Sequence, residues 1–296
     1  MITVEEASRI IIENLYQSKV EEIDLTQVMG RVLAEDIQAD RDFPPFDRVM
    51  MDGIAIDFDT WAAGNRSFNR EDIQMAGEHQ KILNSSQNCL EVMTGSILPK
   101  KTNTVIPYEE VEIDGDIVHV KSEIVKKGQN IHAQGSDVSV NARILSKGSS
   151  ISTAEIGVLA TVGKSIVKVL SLPKVAIIST GDELVAVGQI PKTYQIRQSN
   201  SHVLKAALKE TGVEAVIYHI QDERGLMFDK LKAIIEECDV LILSGGVSKG
   251  KKDYVPEVLE KLEFQKKFHG VKQRLSLIHI SEPTRRTIPS RMPSSA

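Results

Sequence analysis

From Pro173 onward, short apolar runs alternate with longer amphipathic ones. KVAIIST (174–180) is β-branched and apolar almost throughout, the pattern of a strand covered on both faces. VEAVIYHI (213–220) and DVLILS (239–244) repeat it. Between them, NSHVLKAALKETG and LMFDKLKAIIEEC keep helical spacing, with Asn200 placed as an N-cap and Gly212 as a C-terminal stop. Strands and helices in this order predict crossover connections and an open parallel α/β sheet. At the N-terminus, Thr3 and Glu6 form a capping box, and Ala7, Ile10, Ile11, Asn14 and Leu15 follow at helical intervals, which predicts an amphipathic helix over 3–18. Residues 37–150 read differently. NCLEVM, NTVIPYEEVEI and IVHVKSEIV are short β-prone runs between Gly, Asn, Asp and Pro, and no helix of any length is predicted among them.

The predicted fold class is therefore multidomain, α/β plus β. A linking domain is expected from 20–38 and 140–170, a β-rich domain from 39–139, and an α/β domain from 1–19 with 171–274. Residues 275–296 (LSLIHISEPTRRTIPSRMPSSA) carry three prolines, three arginines and one acid without periodicity. They resemble translated adapter or cloning sequence and are expected to be a non-native or disordered tail.

Composition narrows the function. Aromatic content of 4% leaves aliphatic side chains to fill the core, and a formal charge of −5 argues against a nucleic-acid coat while leaving room for a local anion site. The two cysteines, Cys89 and Cys238, have neither zinc nor disulfide spacing and read as core or near-core residues of a protein in a reducing compartment. No apolar run reaches the ~18 residues of a membrane span. MITVEEASRIIIENL lacks the features of a signal peptide, so a cytoplasmic protein is expected.

The chemistry gathers at strand ends, where open α/β sheets bind ligands. The first predicted strand runs into Asp182 and Glu183, the second into Asp222 and Glu223, the third into SGGVSKGKKD with Asp253. Gly245 and Gly246 allow backbone N–H groups close to an anion, and hard carboxylate oxygens beside a phosphate suit Mg²⁺. One such Asp alone is more often a helix cap; three on consecutive strand ends point to a site for a phosphorylated ligand and a divalent cation. Lys249, Lys251 and Lys252 read equally well as anion contacts and as a solvated loop. His132 reads as a surface histidine.

STGDEL and SGGVSKGKKDY, in this order and spacing, resemble the third domain of the molybdopterin molybdenumtransferases, the bacterial MoeA and gephyrin E-domain family. GRVLAEDI (30–37), PPFDRVMMDGIAI (44–56), VMTGSILP (92–99) and GQNIHAQGSDV (128–138) extend the resemblance over roughly 1–274. It implies molybdate insertion into adenylylated molybdopterin with release of AMP, dependence on Mg²⁺, a homodimer, and a contact with molybdopterin adenylyltransferase. It implies catalytic roles for Asp52, Asp137, Glu183, Asp222 and Asp253, with Glu183, Asp222 and Asp253 on the metal. Thr94, Gly181, Asp182, Ser244, Gly245, Gly246 and Ser248 are the implied substrate contacts. Departures are RVM before MDG, Ile54 for a common tyrosine, and Ser136 for a common glutamate. After FHGVKQR (268–274) the family continues into a Pro-Gly-Lys-Pro strand and a fourth β domain; that continuation is absent here, so a fragment with impaired turnover is expected. The alternatives are an adenylyltransferase-like enzyme, which would lack the 37–150 insert, and a non-catalytic molybdopterin-binding scaffold.

Overall fold

The computed structural model describes residues 1–245 and 254–272. The chain forms two compact units: Glu21–Val169, and Met1–Val20 together with the chain from Leu170 onward.

In the first unit the β-prone runs build a six-stranded sheet. Its order is Thr104–Pro107, Gly53–Ile56, Asn88–Val92, Ser67–Gln74, Ile117–Val120, Val111–Asp114. Neighbours are antiparallel, except that Ser67–Gln74 runs parallel to Asn88–Val92. Ile54, Ile56, Phe68, Cys89, Ile106 and Val118 are fully buried in its core. Ile54 is thus an interior side chain. A one-turn helix, Phe58–Ala62, interrupts the expected all-β stretch. It starts because the Asp57 carboxylate accepts the N–H of Asp59, a local cap that apolar periodicity over so few residues does not reveal.

A separate core joins distant parts of the same unit: Val28, Leu33 and Ile37 pack with Ile151, Leu159, Val162, Val167 and Val169. Its helix, Thr153–Thr161, begins at a capping box in which Ser152 and Glu155 satisfy each other's backbone N–H groups.

In the second unit three strands lie parallel, in the order Ala215–Ile220, Val175–Thr180, Val240–Ser244. The first in sequence is central and all six of its residues are buried, as its unbroken apolar run requires. Asn200–Glu210 and Arg224–Glu237 are the intervening helices. Two local expectations change. Asn200 is the first helical residue and Ser199 holds the N-cap position; Gly212, at φ +80°, does end the helix. The N-terminal helix runs Val4–Glu13 rather than 3–18, its capping box intact. It stops where the Asn14 amide turns back to donate to Ile10 O at 2.8 Å, a local bond that competes with further helix. Of its apolar stripe only Ala7 is buried; Ile11 and Leu15 are 53% and 56% exposed.

Candidate functional site

The candidate residues fall into two clusters, one in each unit. In Glu21–Val169 the short Arg48–Val49 strand is flanked on both sides. Ile131–His132 pairs with it antiparallel, placing His132 opposite Arg48 and Ile131 opposite Val49. Across the other edge, Val49 N donates to Ser96 O (3.0 Å), Gly95 N to Val49 O (2.9 Å) and Leu98 N to Asp47 O (2.9 Å). Segments adjoining the MMDG, MTGS and QGSD sequences therefore meet around one strand, although they lie far apart in sequence.

At the MMDG end, one oxygen of the Asp52 carboxylate accepts both the N–H and the hydroxyl of Thr94, each at 2.6 Å. The hydroxyl first, then the N–H, hold Asp52 below the usual carboxylate range against a smaller effect of burial, so it is ionised at neutral pH. Ser96, two residues on, is fully buried and its hydroxyl has no partner among the described residues.

At the QGSD end the loop is tied to the FPPFD segment. Gly135 N donates to Pro44 O (3.0 Å) and Asp137 N to Phe43 O (2.9 Å). The Asp47 carboxylate takes Gln134 N–H and that of Asp42 takes Val140 N–H, both at 2.8 Å. Asp137 Oδ1 lies 2.8 Å from His132 Nε2, and His132 Nδ1 lies 3.1 Å from the Arg48 guanidinium. His132 is thus no isolated surface histidine, as its sequence context implied, but the middle of a three-residue chain. Neither Arg48 nor this role of His132 was legible in the sequence, because the pairing comes from strand register across 84 positions.

In the α/β unit the parallel register aligns the strand ends: Thr180 pairs with Ile220, and Ser179 with Ser244. The loops after the first two strands do converge, with Asp222 N–H donating to the Asp182 carboxylate at 3.2 Å. Gly181 and Gly245 both have positive φ, +138° and +95°. A Cβ at 245 would stand 2.6 Å from the carbonyl oxygen of Thr180, a backbone atom that cannot step aside. One at 181 would meet the Glu183 carboxylate at 2.6 Å, which shows how closely that side chain folds over the strand end.

Two buried hydroxyls were not singled out from sequence. Thr180 and Ser201 are 3% and 0% exposed, and their hydroxyls lack hydrogen-bond partners among the described residues. Ser201 sits in the first turn of Asn200–Glu210, whose N-cap Ser199 makes no side-chain capping bond. The amide of Asn200 reaches Ser244 Oγ at 3.5 Å, joining that helix start to the third strand end. A helix start, two hydroxyls unpartnered among the described residues and two glycines are the kind of groups that can receive an anion. The faint signal in the sequence was the Asn-Ser pair opening a helix.

Among the described residues no three His, Cys, Asp or Glu side chains gather as a closed metal cage. Mg²⁺ does not need one, since it is commonly held by one or two carboxylates together with substrate phosphates and water. The hard oxygens of Asp182, Glu183 and Asp222 beside an anion cradle fit that ion. Gly246, Ser248 and Asp253, and with them Lys249, Lys251 and Lys252, lie outside the described residues, as does the 275–296 tail. Along the outer strand of this unit a cavity of about 350 Å³ is lined by Tyr218, His219, Ile220, Lys230, Ala233, Ile234 and Glu237. It includes none of the strand-end glycines. The geometry, not the cavity, marks the candidate site here. No described helix is long and apolar enough to cross a membrane.

Known proteins share both halves. Residues 2–163 match the MoeA N-terminal region (domain I and II), and residues 176–289 a probable molybdopterin-binding domain. A molybdopterin molybdenumtransferase of Synechocystis sp. is 40% identical over 254 residues, 85% of this chain and 65% of that protein. One from Staphylococcus epidermidis is 33% identical over 279 residues, 92% of this chain and 66% of that protein. The chain thus spans about two thirds of the length of these relatives. A solved structure of the molybdopterin biosynthesis MoeA protein from Pyrococcus horikoshii superposes with a TM-score of 0.79 at 29% identity, covering 92% of this chain and 69% of that one. With its first half matched along its whole length, and the fold shared over nearly all the rest, the chain belongs to the MoeA family.

Proposed function

We propose that this chain acts in molybdenum cofactor biosynthesis, as a transferase that places molybdate into adenylylated molybdopterin and releases AMP. The observation that carries this reading is the succession, in one chain, of the MoeA N-terminal region and a molybdopterin-binding domain. An adenylyltransferase would need only the second.

The residues have work that suits this chemistry. Gly181 and Gly245 admit phosphate oxygens to backbone N–H groups, and the start of Asn200–Glu210, with Ser201 and Thr180, offers further donors. Glu183 and Asp222, with Asp253, would hold Mg²⁺, and Asp182 braces the loop that carries Asp222. When bound, Mg²⁺ would offset the charge of the phosphoanhydride and of molybdate. In the other unit Asp52, ionised and fixed by Thr94, and Asp137, fixed by His132, orient water or molybdate. Such a reaction depends on positioning and charge stabilisation, so no covalent nucleophile is required. The working form is a cytoplasmic homodimer that receives its substrate from molybdopterin adenylyltransferase.

Nucleotide analysis separates the readings. Given adenylylated molybdopterin, the protein should release AMP only when both molybdate and Mg²⁺ are present. Consumption of ATP with free molybdopterin, and no molybdate-dependent AMP, would instead identify an adenylyltransferase.

A further inference from the structure

Arg48, His132 and Asp137 form a chain whose donors and acceptors leave one arrangement. A guanidinium can only donate, so His132 Nδ1, 3.1 Å from Arg48 Nη2, must be an acceptor. The ring then carries its hydrogen on Nε2, which lies 2.8 Å from Asp137 Oδ1. A doubly protonated ring would set an N–H against the guanidinium. The ring stands on a strand, directly opposite Arg48 in an antiparallel pair, whereas Asp137 stands on the loop that follows. The backbone of that loop is held by Phe43 and Pro44, and the imidazole fixes the Asp137 side chain. Of the other carboxylates that hold this loop, Asp47 accepts the N–H of Gln134, and Asp42 accepts the N–H of Val140 and the side-chain amide of Gln134. Asp137 Oδ2 has no hydrogen-bond partner among the described residues, and its side chain is 55% exposed.

We propose that His132 is a positioning residue for Asp137: a neutral imidazole, oriented by Arg48, whose Nε2–H fixes one carboxylate oxygen and leaves the other presented to the substrate. The inference rests on the transferase reading only for what turnover means; the tautomer is a property of the protein itself.

Two measurements on the full chain test it. Long-range ¹H–¹⁵N spectra of ¹⁵N-labelled protein at neutral pH should show His132 protonated at Nε2 alone, and Arg48→Met should convert it to a mixture of tautomers. A wild-type ring protonated at Nδ1, or at both nitrogens, overturns the proposal. In AMP release, His132→Phe should lower kcat about tenfold or more with KM changed less than about threefold, as loss of orientation does. His132→Gln, which keeps an N–H donor, should recover most of that loss, with both variants melting within about 2 °C of wild type, well below the shift expected for 1 kcal/mol in a small domain. A wild-type kcat for His132→Phe, or a His132→Gln no better than it, overturns the proposal. If the wild-type protein releases no AMP, the transferase reading fails, and the tautomer decides the inference alone.

Discussion

Asp52 and Cys89 belong to the same unit and show opposite responses to their surroundings. Asp52 is held down by the Thr94 hydroxyl and N–H. Because its folded value is lowered, it contributes stability above the ordinary carboxylate value of about 4, and that contribution is lost as pH falls through the lower folded value. Thr94→Val removes the hydroxyl and should raise the Asp52 value toward the ordinary one, read from carboxyl ¹³C shifts in a pH titration. An unchanged titration would mean that the N–H alone suffices. Cys89 goes the other way: burial first, then Glu91, pushes its thiol up to about 12. It should stay unmodified by iodoacetamide at pH 8 in the native protein and react only on unfolding, as mass spectrometry of the labelled peptides would show. Asp52 stood out in the sequence through its motif, whereas its fastening to Thr94 across 42 positions depended on strand register that local pattern does not carry.

Two glycines separate the demands of strand and helix. A Cβ at Gly53 would stand 2.0 Å from Ile106 O, because the Gly53–Ile56 and Thr104–Pro107 strands pair directly there. Gly157, within the Thr153–Thr161 helix, has no atom within 4 Å of that position. Gly53→Ala should destabilise its unit by about 3 kcal/mol, the upper end for overpacking, since backbone must move. Gly157→Ala should stabilise by roughly 0.5–1 kcal/mol through helix propensity. Denaturant melts of the two variants check both signs. Elements were legible where period and length agreed: the Val175–Thr180, Ala215–Ile220 and Val240–Ser244 strands and their helices lie close to where apolar runs placed them. The Phe58–Ala62 turn and the end of the first helix at Glu13 were not, because single side-chain to backbone bonds set them. The strand-end acids were visible as a set, while the buried hydroxyls of Thr180 and Ser201 emerged only once parallel register aligned the strand ends.

At the scale of the molecule, Glu21–Val169 is contiguous and contains its own cores, one under the six-stranded sheet and one joining residues 28–37 to 151–169. Expressed alone, it should give a dispersed amide NMR spectrum and a cooperative melt; a collapsed spectrum would show that it depends on the other unit. The central claim, that the chain transfers molybdate, is tested most directly by stoichiometry. Molybdenum bound to pterin and AMP released should be measured in the same single turnover, with Mg²⁺ present. The account predicts one molybdenum incorporated for each AMP, and loss of both together in Asp222→Asn. AMP released without molybdenum incorporated would mark a hydrolase and contradict it.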